Sequence, residues 1–110
     1  MNDAGYPDDN PKTAFGQAKL GMSDTPIHSL RMLAKVHSNG AAKYGSLNWR
    51  ENNVSATVYY NAAMRHLMAW FEGDDLDPES GLPHLAHVMA CASILIDADL
   101  NETLNDNRPV

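Results

Sequence analysis

The residues best suited to chemistry lie where an acidic segment runs into two histidines. Four of the 14 acidic residues fall between Asp74 and Glu79, and His84 and His87 follow closely. At positions i and i+3 of a helix, two imidazoles share one face. Carboxylates and imidazoles are both ligands of divalent cations. The segment can therefore hold a metal ion, although a solvated acidic loop that caps the next helix explains the same residues.

Two specific metal motifs can be compared with this segment. Asp75-x-Asp77-x-Glu79 resembles the opening of an EF-hand calcium loop, but Ser80 stands where that loop requires Gly. The position of its bidentate Glu is taken by Ala86, so an EF-hand is excluded. His84-x-x-His87-x-x-x-Cys91 has a spacing that zinc could use. Buried or interface histidines are the alternative explanation of the same pair.

Two other clusters carry groups that suit a nucleotide. Arg65-His66 offers a fixed cation for phosphate beside an imidazole. Around a predicted turn, a cation, two aromatic rings and an amide come together, and such groups can stack on and read a base: Lys43, Tyr44, Asn48 and Trp49. A surface arginine, a buried histidine and a packed loop explain these residues equally well.

Composition excludes several classes of protein. The chain has 110 residues and a formal net charge of −6, which is unfavourable for binding a nucleic-acid backbone. The single cysteine, Cys91, excludes an internal disulfide and a multi-cysteine zinc module. Neither a signal peptide nor an apolar run of membrane-spanning length is visible, so we expect no membrane association and a cytoplasmic location.

The pattern of apolar residues, Pro and Gly predicts three main helices. The first begins at Thr25-Pro26, with Thr25 as its N-cap, and can extend to Gly45. The second runs from Ser55 to Gly73, and the third from Leu82 or Pro83 to Asp99. Residues 45–53 and the acidic segment 74–81 are predicted loops. No strand is predicted.

These elements define an all-α domain over residues 25–100, with an irregular N-terminal arm over 1–24 and a loose C-terminal tail over 101–110. Three helices of this size bury little surface alone. The second and third are apolar on most of their surface, which is typical of helices with neighbours on two sides. We therefore expect a small helical bundle that is completed by homo-oligomerisation, as a dimer or a larger assembly.

Three separated blocks of the sequence resemble a known family. The blocks are Gly40-Ala-Ala-Lys-Tyr-Gly-x-x-Asn-Trp49, Tyr59-x-x-Ala-x-x-Arg-His-Leu-x-Ala-Trp70 and Gly73-Asp-Asp-x-Asp-x-Glu-Ser-Gly-Leu-x-His-Leu-x-His87. In this order they resemble the phage and prophage proteins described as dATP/dGTP diphosphohydrolase, N-terminal domain. The resemblance covers about residues 25–100. It places the chain functionally beside the MazG-like all-α nucleotide pyrophosphohydrolases, which are helical, oligomeric and magnesium-dependent.

The resemblance implies that the chain hydrolyses a purine deoxynucleoside triphosphate to the monophosphate and pyrophosphate with a divalent metal. The ion would be Mg²⁺, with Mn²⁺ or another transition metal as alternatives. The host cytoplasm would be its location in a phage-infected cell. The MazG-like pairs Glu-x-x-Glu and Glu-x-x-Asp are missing, and His84-x-x-His87 opens the third helix instead. The metal would therefore be bound by a mixed set of carboxylates and imidazoles.

On this interpretation each candidate residue has a role. The metal ligands are Asp75, Asp77, Glu79, His84 and His87, with Glu79 also a candidate water-activating base. His66 carries a proton or adds a ligand, and Arg65 and Lys43 bind phosphates. Tyr44, Asn48 and Trp49 hold the base. Two alternatives remain: a non-catalytic helical module that binds a protein or nucleotide, and an enzyme that releases the whole triphosphate.

Overall fold

The computed structural model describes residues 8–110 and is mostly helical, as the all-α prediction requires. The three predicted main helices are present and their predicted ends are close to the observed ones. In chain order the elements are α1 (Pro11–Gly16), α2 (Ile27–Tyr44), α3 (Asn48–Glu51), β1 (Val54–Ser55), α4 (Ala56–Phe71), α5 (His84–Leu100) and β2 (Leu104–Asn105).

Helix α5 is the central element of the bundle, because it packs against α4, α2 and α3. Where α2 meets α5, the buried Val36, Ala86 and Ala90 form the core. Partly buried apolar side chains surround them: Met32, Leu33, Leu82 and Met89. The buried residues of α5 are mostly small: Ala86, Ala90, Cys91 and Ala98 are buried along with His84.

Helix α2 ends before Gly45, as predicted, but its N-terminal cap differs from the predicted one. It continues through Asn39-Gly40 to Tyr44, and Gly45 follows with φ of 97°, a backbone conformation that favours glycine. The N-cap is Pro26 rather than Thr25, and it has no side-chain capping hydrogen bond. The prediction that Thr25 caps the helix is therefore wrong.

The predicted loop over residues 45–53 contains the short helix α3, which is anchored on α5. Trp49 donates from Nε1 to Oδ2 of Asp97 at 2.6 Å. Arg50 donates to the same carboxylate from Nε at 2.7 Å and from Nη2 at 2.9 Å. These charge-assisted bonds hold a segment that local sequence signals describe only as a turn.

The Asp97 contacts predict an acid-dependent contribution to stability. The hydrogen bonds from Arg50 and then Trp49 lower the pKa of Asp97 from 3.8 to about 2. A carboxyl whose pKa is lower in the folded state stabilises the fold above its unfolded pKa, and this contribution is lost as the pH falls through the folded value. We expect Asp97→Asn to have a lower Tm than wild type at about pH 6. Near pH 2 this difference in Tm should become smaller.

Thermal unfolding followed by circular dichroism at both pH values measures this effect. Asp99→Asn is the matched control, because Asp99 is an exposed carboxylate on the same helix. We expect that variant to unfold close to wild type at about pH 6. If the difference in Tm between wild type and Asp97→Asn were equal at both pH values, ionised Asp97 would not be the source of this stability.

A small strand pair corrects two further predictions. β1 pairs with β2 in parallel, with Val54 opposite Leu104 and Ser55 opposite Asn105. Asn107 then accepts from the Thr57 backbone N–H through Oδ1 at 2.9 Å. The prediction of no strand is therefore wrong, and the tail predicted as loose over 101–110 is held at Leu104–Asn105 and at Asn107. Each strand has only two residues and its partner lies about 50 residues away in the sequence, so neither strand has an alternating apolar and polar pattern.

The N-terminal arm is partly helical. Helix α1 lies within the described part of this arm, and Asn10 is its N-cap. The Asn10 side chain accepts a hydrogen bond from the Lys12 backbone N–H at 2.9 Å. The irregular arm predicted over 1–24 is therefore corrected over Pro11–Gly16, and residues 1–7 lie outside the described part. Among residues 8–110, none of the helices combines the length and the apolar character that a bilayer span requires.

Large apolar side chains are exposed along α4 and at the C-terminal end of α5. Phe71 is 83% exposed and Leu100 is 81% exposed. Met64, Leu67 and Trp70 border a shallow depression on the surface of α4. These surfaces agree with helices that are apolar on most sides, and homo-oligomerisation stays a prediction.

Candidate active site

Three histidines from two helices form one imidazole cluster at the N-terminal end of α5. Nδ1 of His66, on α4, lies 2.8 Å from Nδ1 of His84. The ring of His66 also stacks on that of His87, with centroids 4.4 Å apart and an interplanar angle of 10°. His84 and His87 share a face of α5, as their spacing predicts, and His66 reaches that face from the neighbouring helix.

The loop between α4 and α5 folds back as a hairpin and brings its acidic residues to this cluster. Leu76 and Pro83 form an antiparallel bridge, and Asp77 N–H donates to the Leu82 carbonyl at 2.8 Å. Gly81, with φ of 71°, supplies the left-handed residue that closes the turn. The hairpin places Asp74 beside His84, with Oδ2 of Asp74 3.3 Å from Nε2 of the imidazole.

Asp77 is the carboxylate of the hairpin that faces the imidazoles. One donor atom from each of His66, Asp77 and His84 lies within 4.8 Å of the other two, a spacing at which one metal ion can be shared. Burial alone would raise the pKa of Asp77. Hydrogen bonds from the Ser80 backbone and hydroxyl, together with the charges of His87 and His66, outweigh burial and lower the pKa. Asp77 is thus held in its ionised form.

His87 lies between this carboxylate and the open side of the site. Its Nε2 is 2.8 Å from Oγ of Ser80 and 3.7 Å from Oδ2 of Asp77. Burial is the main cause that lowers the pKa of both His87 and His66 below the ordinary histidine value. Both rings are therefore neutral near pH 7 and can accept a proton or bind a metal ion.

A cavity of about 340 Å³ opens beside the cluster, between α2, α4 and α5. This volume lies within the range of small-molecule sites. Nine of the residues predicted from the sequence line it: Lys43, Tyr44, Asn48, Trp49, Arg65, His66, Asp77, Glu79 and His87. Residues far apart along the chain thus meet around one space that a nucleotide could enter.

The two predicted phosphate-binding cations differ in their surroundings. Lys43 forms an ion pair with Glu79 across the cavity, and this hydrogen bond is the main cause that raises the pKa of Lys43. Arg65 lines the same cavity and forms no ion pair with any residue between 8 and 110. Arg65 is therefore the cation whose charge is free for a ligand.

The three predicted base-binding residues lie at the α2–α3 end of the cavity. Tyr44 is exposed, and Asn48 accepts through Oδ1 from Asn52 Nδ2 at 2.9 Å. The indole N–H of Trp49 is used by Asp97, so its ring face, rather than its N–H, is the part a base could contact. That ring also lies 5.5 Å from the ring of His37.

Two predicted metal ligands stand apart from the imidazoles. The Asp75 backbone carbonyl accepts from His84 N–H at 2.9 Å, while its side chain is exposed. Glu79 faces Lys43 rather than the three-residue group of His66, Asp77 and His84. Their predicted ligand roles stay untested, but the geometry favours Asp77 as the carboxylate of the hairpin that binds an ion.

Sequence reasoning missed Ser80, which contacts His87, and His37 and Tyr59, which line the cavity. Cys91, part of the spacing that zinc could use, also lines the cavity, and Asp74 of the acidic segment contacts His84. Asp74 belongs to the acidic segment, but its pairing with His84 depends on the hairpin. Burial raises the pKa of both Tyr59 and Cys91, so these side chains line the cavity as neutral groups.

A family model and a phage protein are similar to this chain over most of its length. The family model described as dATP/dGTP diphosphohydrolase, N-terminal, matches residues 9–108. A protein of Salmonella phage PMBT28 named dATP/dGTP diphosphohydrolase is 28% identical over 94 residues, which are 86% of this chain and 32% of the phage protein. The chain thus spans about a third of the length of that relative. No solved structure matches.

Proposed function

The chain belongs to the dATP/dGTP diphosphohydrolase, N-terminal family, and from this premise we propose that it hydrolyses purine deoxynucleoside triphosphates to the monophosphate and pyrophosphate. The observation that carries the proposal is the cavity beside the imidazole cluster. Cationic side chains and aromatic rings line this cavity of about 340 Å³, and His66 and Asp77 in its lining form a group of potential metal ligands with His84. Each of these groups suits a different part of a deoxynucleoside triphosphate.

The charge of the protein makes a metal ion part of this proposal. The chain carries a net charge of −6, and one of the two cations at the cavity is already paired with Glu79. The cavity lining carries two cations, Lys43 and Arg65, against two carboxylates, Asp77 and Glu79, so it has no net positive charge to offset that of a triphosphate. His66, Asp77 and His84 would hold a divalent cation, which would supply the missing positive charge and polarise the phosphate.

Other side chains at the cavity have separate roles in phosphate binding and proton transfer. Arg65, unpaired within 8–110, binds the phosphates, and Lys43 adds a second cation when a phosphate oxygen replaces Glu79. His87 is neutral, faces the cavity and is held by Ser80, so it accepts the proton of the attacking water. Glu79 is less suited to that role, since its carboxylate is bound to Lys43.

The base occupies the end of the cavity that Tyr44, Asn48 and Trp49 line. A purine offers a larger face for aromatic stacking than a pyrimidine. The family name points to the same class of base. These residues come from α2 and α3, while Arg65 and the imidazoles come from α4 and α5. Lys43 of α2 is next to Tyr44, so the base and the phosphates contact adjoining parts of the cavity.

A substrate screen tests the proposal directly. The purified chain is incubated with each of the four dNTPs and either Mg²⁺ or Mn²⁺, and the products are separated by ion-exchange chromatography. We expect pyrophosphate and a monophosphate from dATP or dGTP. Free triphosphate would assign the other predicted hydrolase chemistry, and no product with any dNTP and either ion would contradict the proposed function.

The non-catalytic alternative requires histidines that only fill an interface. His84 is buried, but its two ring nitrogens lie against His66 and Asp74 rather than apolar groups. His66 and His87 border an open cavity. These polar contacts favour a hydrolase over an interaction module.

A further inference from the structure

His84 has the surroundings of a metal ligand that an outer carboxylate orients. The residue is 5% exposed, and its ring nitrogens lie against Asp74 on one side and His66 on the other. A carboxylate oxygen only accepts hydrogen bonds, so the contact with Asp74 uses Nε2 of His84 as donor and leaves Nδ1 as the ring nitrogen that faces His66. Metal-binding histidines commonly pair their second nitrogen with a carboxylate in this way.

Nδ1 of His84 lies close to two further atoms that can bind a metal ion. Nδ1 of His66 lies 2.8 Å away, and an oxygen of Asp77 completes a group whose atoms fall within 4.8 Å of each other. Two imidazole nitrogens on one tetrahedral zinc ion stand about 3.4 Å apart, given Zn–N bonds of about 2.0–2.1 Å. A small separation of the two rings is therefore enough to admit an ion.

We propose that His66, Asp77 and His84 bind one first-row transition-metal ion in preference to Mg²⁺, and that Asp74 positions His84 for this binding. This inference deepens the proposed function and rests on it, since the ion is the one that hydrolysis uses. Two imidazoles and one carboxylate suit manganese, iron, cobalt or zinc, whereas Mg²⁺ prefers oxygen ligands and retains several waters. Three protein ligands leave positions open for water and phosphate oxygens.

The other acidic and imidazole side chains of the segment have different partners. Glu79 is bound to Lys43, the side chain of Asp75 is exposed, and Nε2 of His87 lies against the Ser80 hydroxyl. The proposed ligand set therefore differs from the one that sequence spacing suggests. It replaces His87 with His66 and takes a single carboxylate from the hairpin.

Metal binding without nucleotide tests the inference independently of hydrolysis. The full chain is stripped with a chelator, and Mn²⁺, Zn²⁺ and Mg²⁺ are titrated separately by isothermal titration calorimetry. Equilibrium dialysis with elemental analysis gives the stoichiometry. We expect one Mn²⁺ or Zn²⁺ ion per chain, bound at least about tenfold more tightly than Mg²⁺. Equal affinity for the three ions, or no binding, would overturn the inference.

Matched variants identify the ligands. We expect His84→Asn to lose the tight site and His37→Asn, which changes a half-buried histidine outside the group, to keep it. If His84→Asn fails to fold by circular dichroism, the half-buried His66→Asn provides the same test. Unchanged affinity in a folded His84 or His66 variant would overturn the assignment.

Asp74 and Asp75 are neighbouring exposed carboxylates, of which Asp74 contacts the His84 ring and Asp75 does not. We expect Asp74→Asn to weaken metal affinity about 10–100-fold, the usual effect of losing an outer partner, and Asp75→Asn to change it little. The reverse order would overturn the role of Asp74. Tight metal binding without hydrolysis of any dNTP would contradict the proposed function alone, and hydrolysis that depends only on Mg²⁺ would contradict this inference alone.

Discussion

Replacing His87 with asparagine is expected to lower kcat for dATP or dGTP hydrolysis by about 10²–10⁴-fold, the usual contribution of a positioned general base. His87 is the imidazole that faces the cavity, is fixed by Ser80 at 2.8 Å and stands outside the proposed ligand set. The variant should therefore keep its affinity for the metal ion. Steady-state kinetics and metal titration on the same preparation measure the two effects separately.

Three comparisons make the His87 result specific. His28→Asn alters an exposed histidine on α2 outside the cavity and should leave kcat unchanged. Ser80→Ala removes the group that orients His87 and should lower kcat by a smaller factor, about tenfold. Glu79→Gln tests the base that the sequence suggested, and we expect it to keep kcat within about tenfold of wild type. A loss of kcat larger in Glu79→Gln than in His87→Asn would assign the base to Glu79.

The helical framework was predictable because its signals are local. The apolar spacing and the breaks at Pro26, Gly45, Gly73 and Gly81 define three helices from short stretches of chain. The short elements were missed because tertiary contacts stabilise them. α3 depends on Asp97, which lies 48 residues after Trp49, and β1 depends on a partner strand near the C-terminus.

The candidate site was predictable in composition and only partly in geometry. The blocks that carry the family resemblance supply 13 of the 19 residues around the cavity, and each block contributes to its lining. Their pairing was not predictable. The contact between His66 and His84 depends on how α4 packs on α5, and that between Asp74 and His84 depends on the backbone bridge of Leu76 with Pro83.

Glu79 and Asp77 also show that sequence spacing does not determine which groups a carboxylate contacts. Both are acidic residues of one short loop, and spacing alone treats them alike. The turn that ends at Gly81 directs the Asp77 side chain toward Ser80 and the imidazoles, whereas Glu79 extends to Lys43 on α2. An assignment of chemical roles to this loop therefore requires the hairpin and the position of α2.

Replacing Arg65 with alanine is expected to raise KM for a purine deoxynucleoside triphosphate by about 10–100-fold, because hydrogen bonds to charged groups contribute about 1.5–3 kcal/mol. Arg65 lines the cavity and forms no ion pair within residues 8–110, so its whole charge is available to the phosphates. Lys43→Ala should have a smaller effect, since binding a phosphate through Lys43 first requires separation from Glu79.

Steady-state kinetics over a range of substrate concentrations and of added salt distinguish this effect from a loss of structure. Arg31→Ala removes an exposed arginine of α2 outside the cavity and should leave KM unchanged. Because the phosphate contact is electrostatic, the difference in KM between wild type and Arg65→Ala should shrink as salt is raised. An Arg65→Ala enzyme with the wild-type KM would place the triphosphate away from α4, and a salt-independent difference would assign Arg65 a packing role.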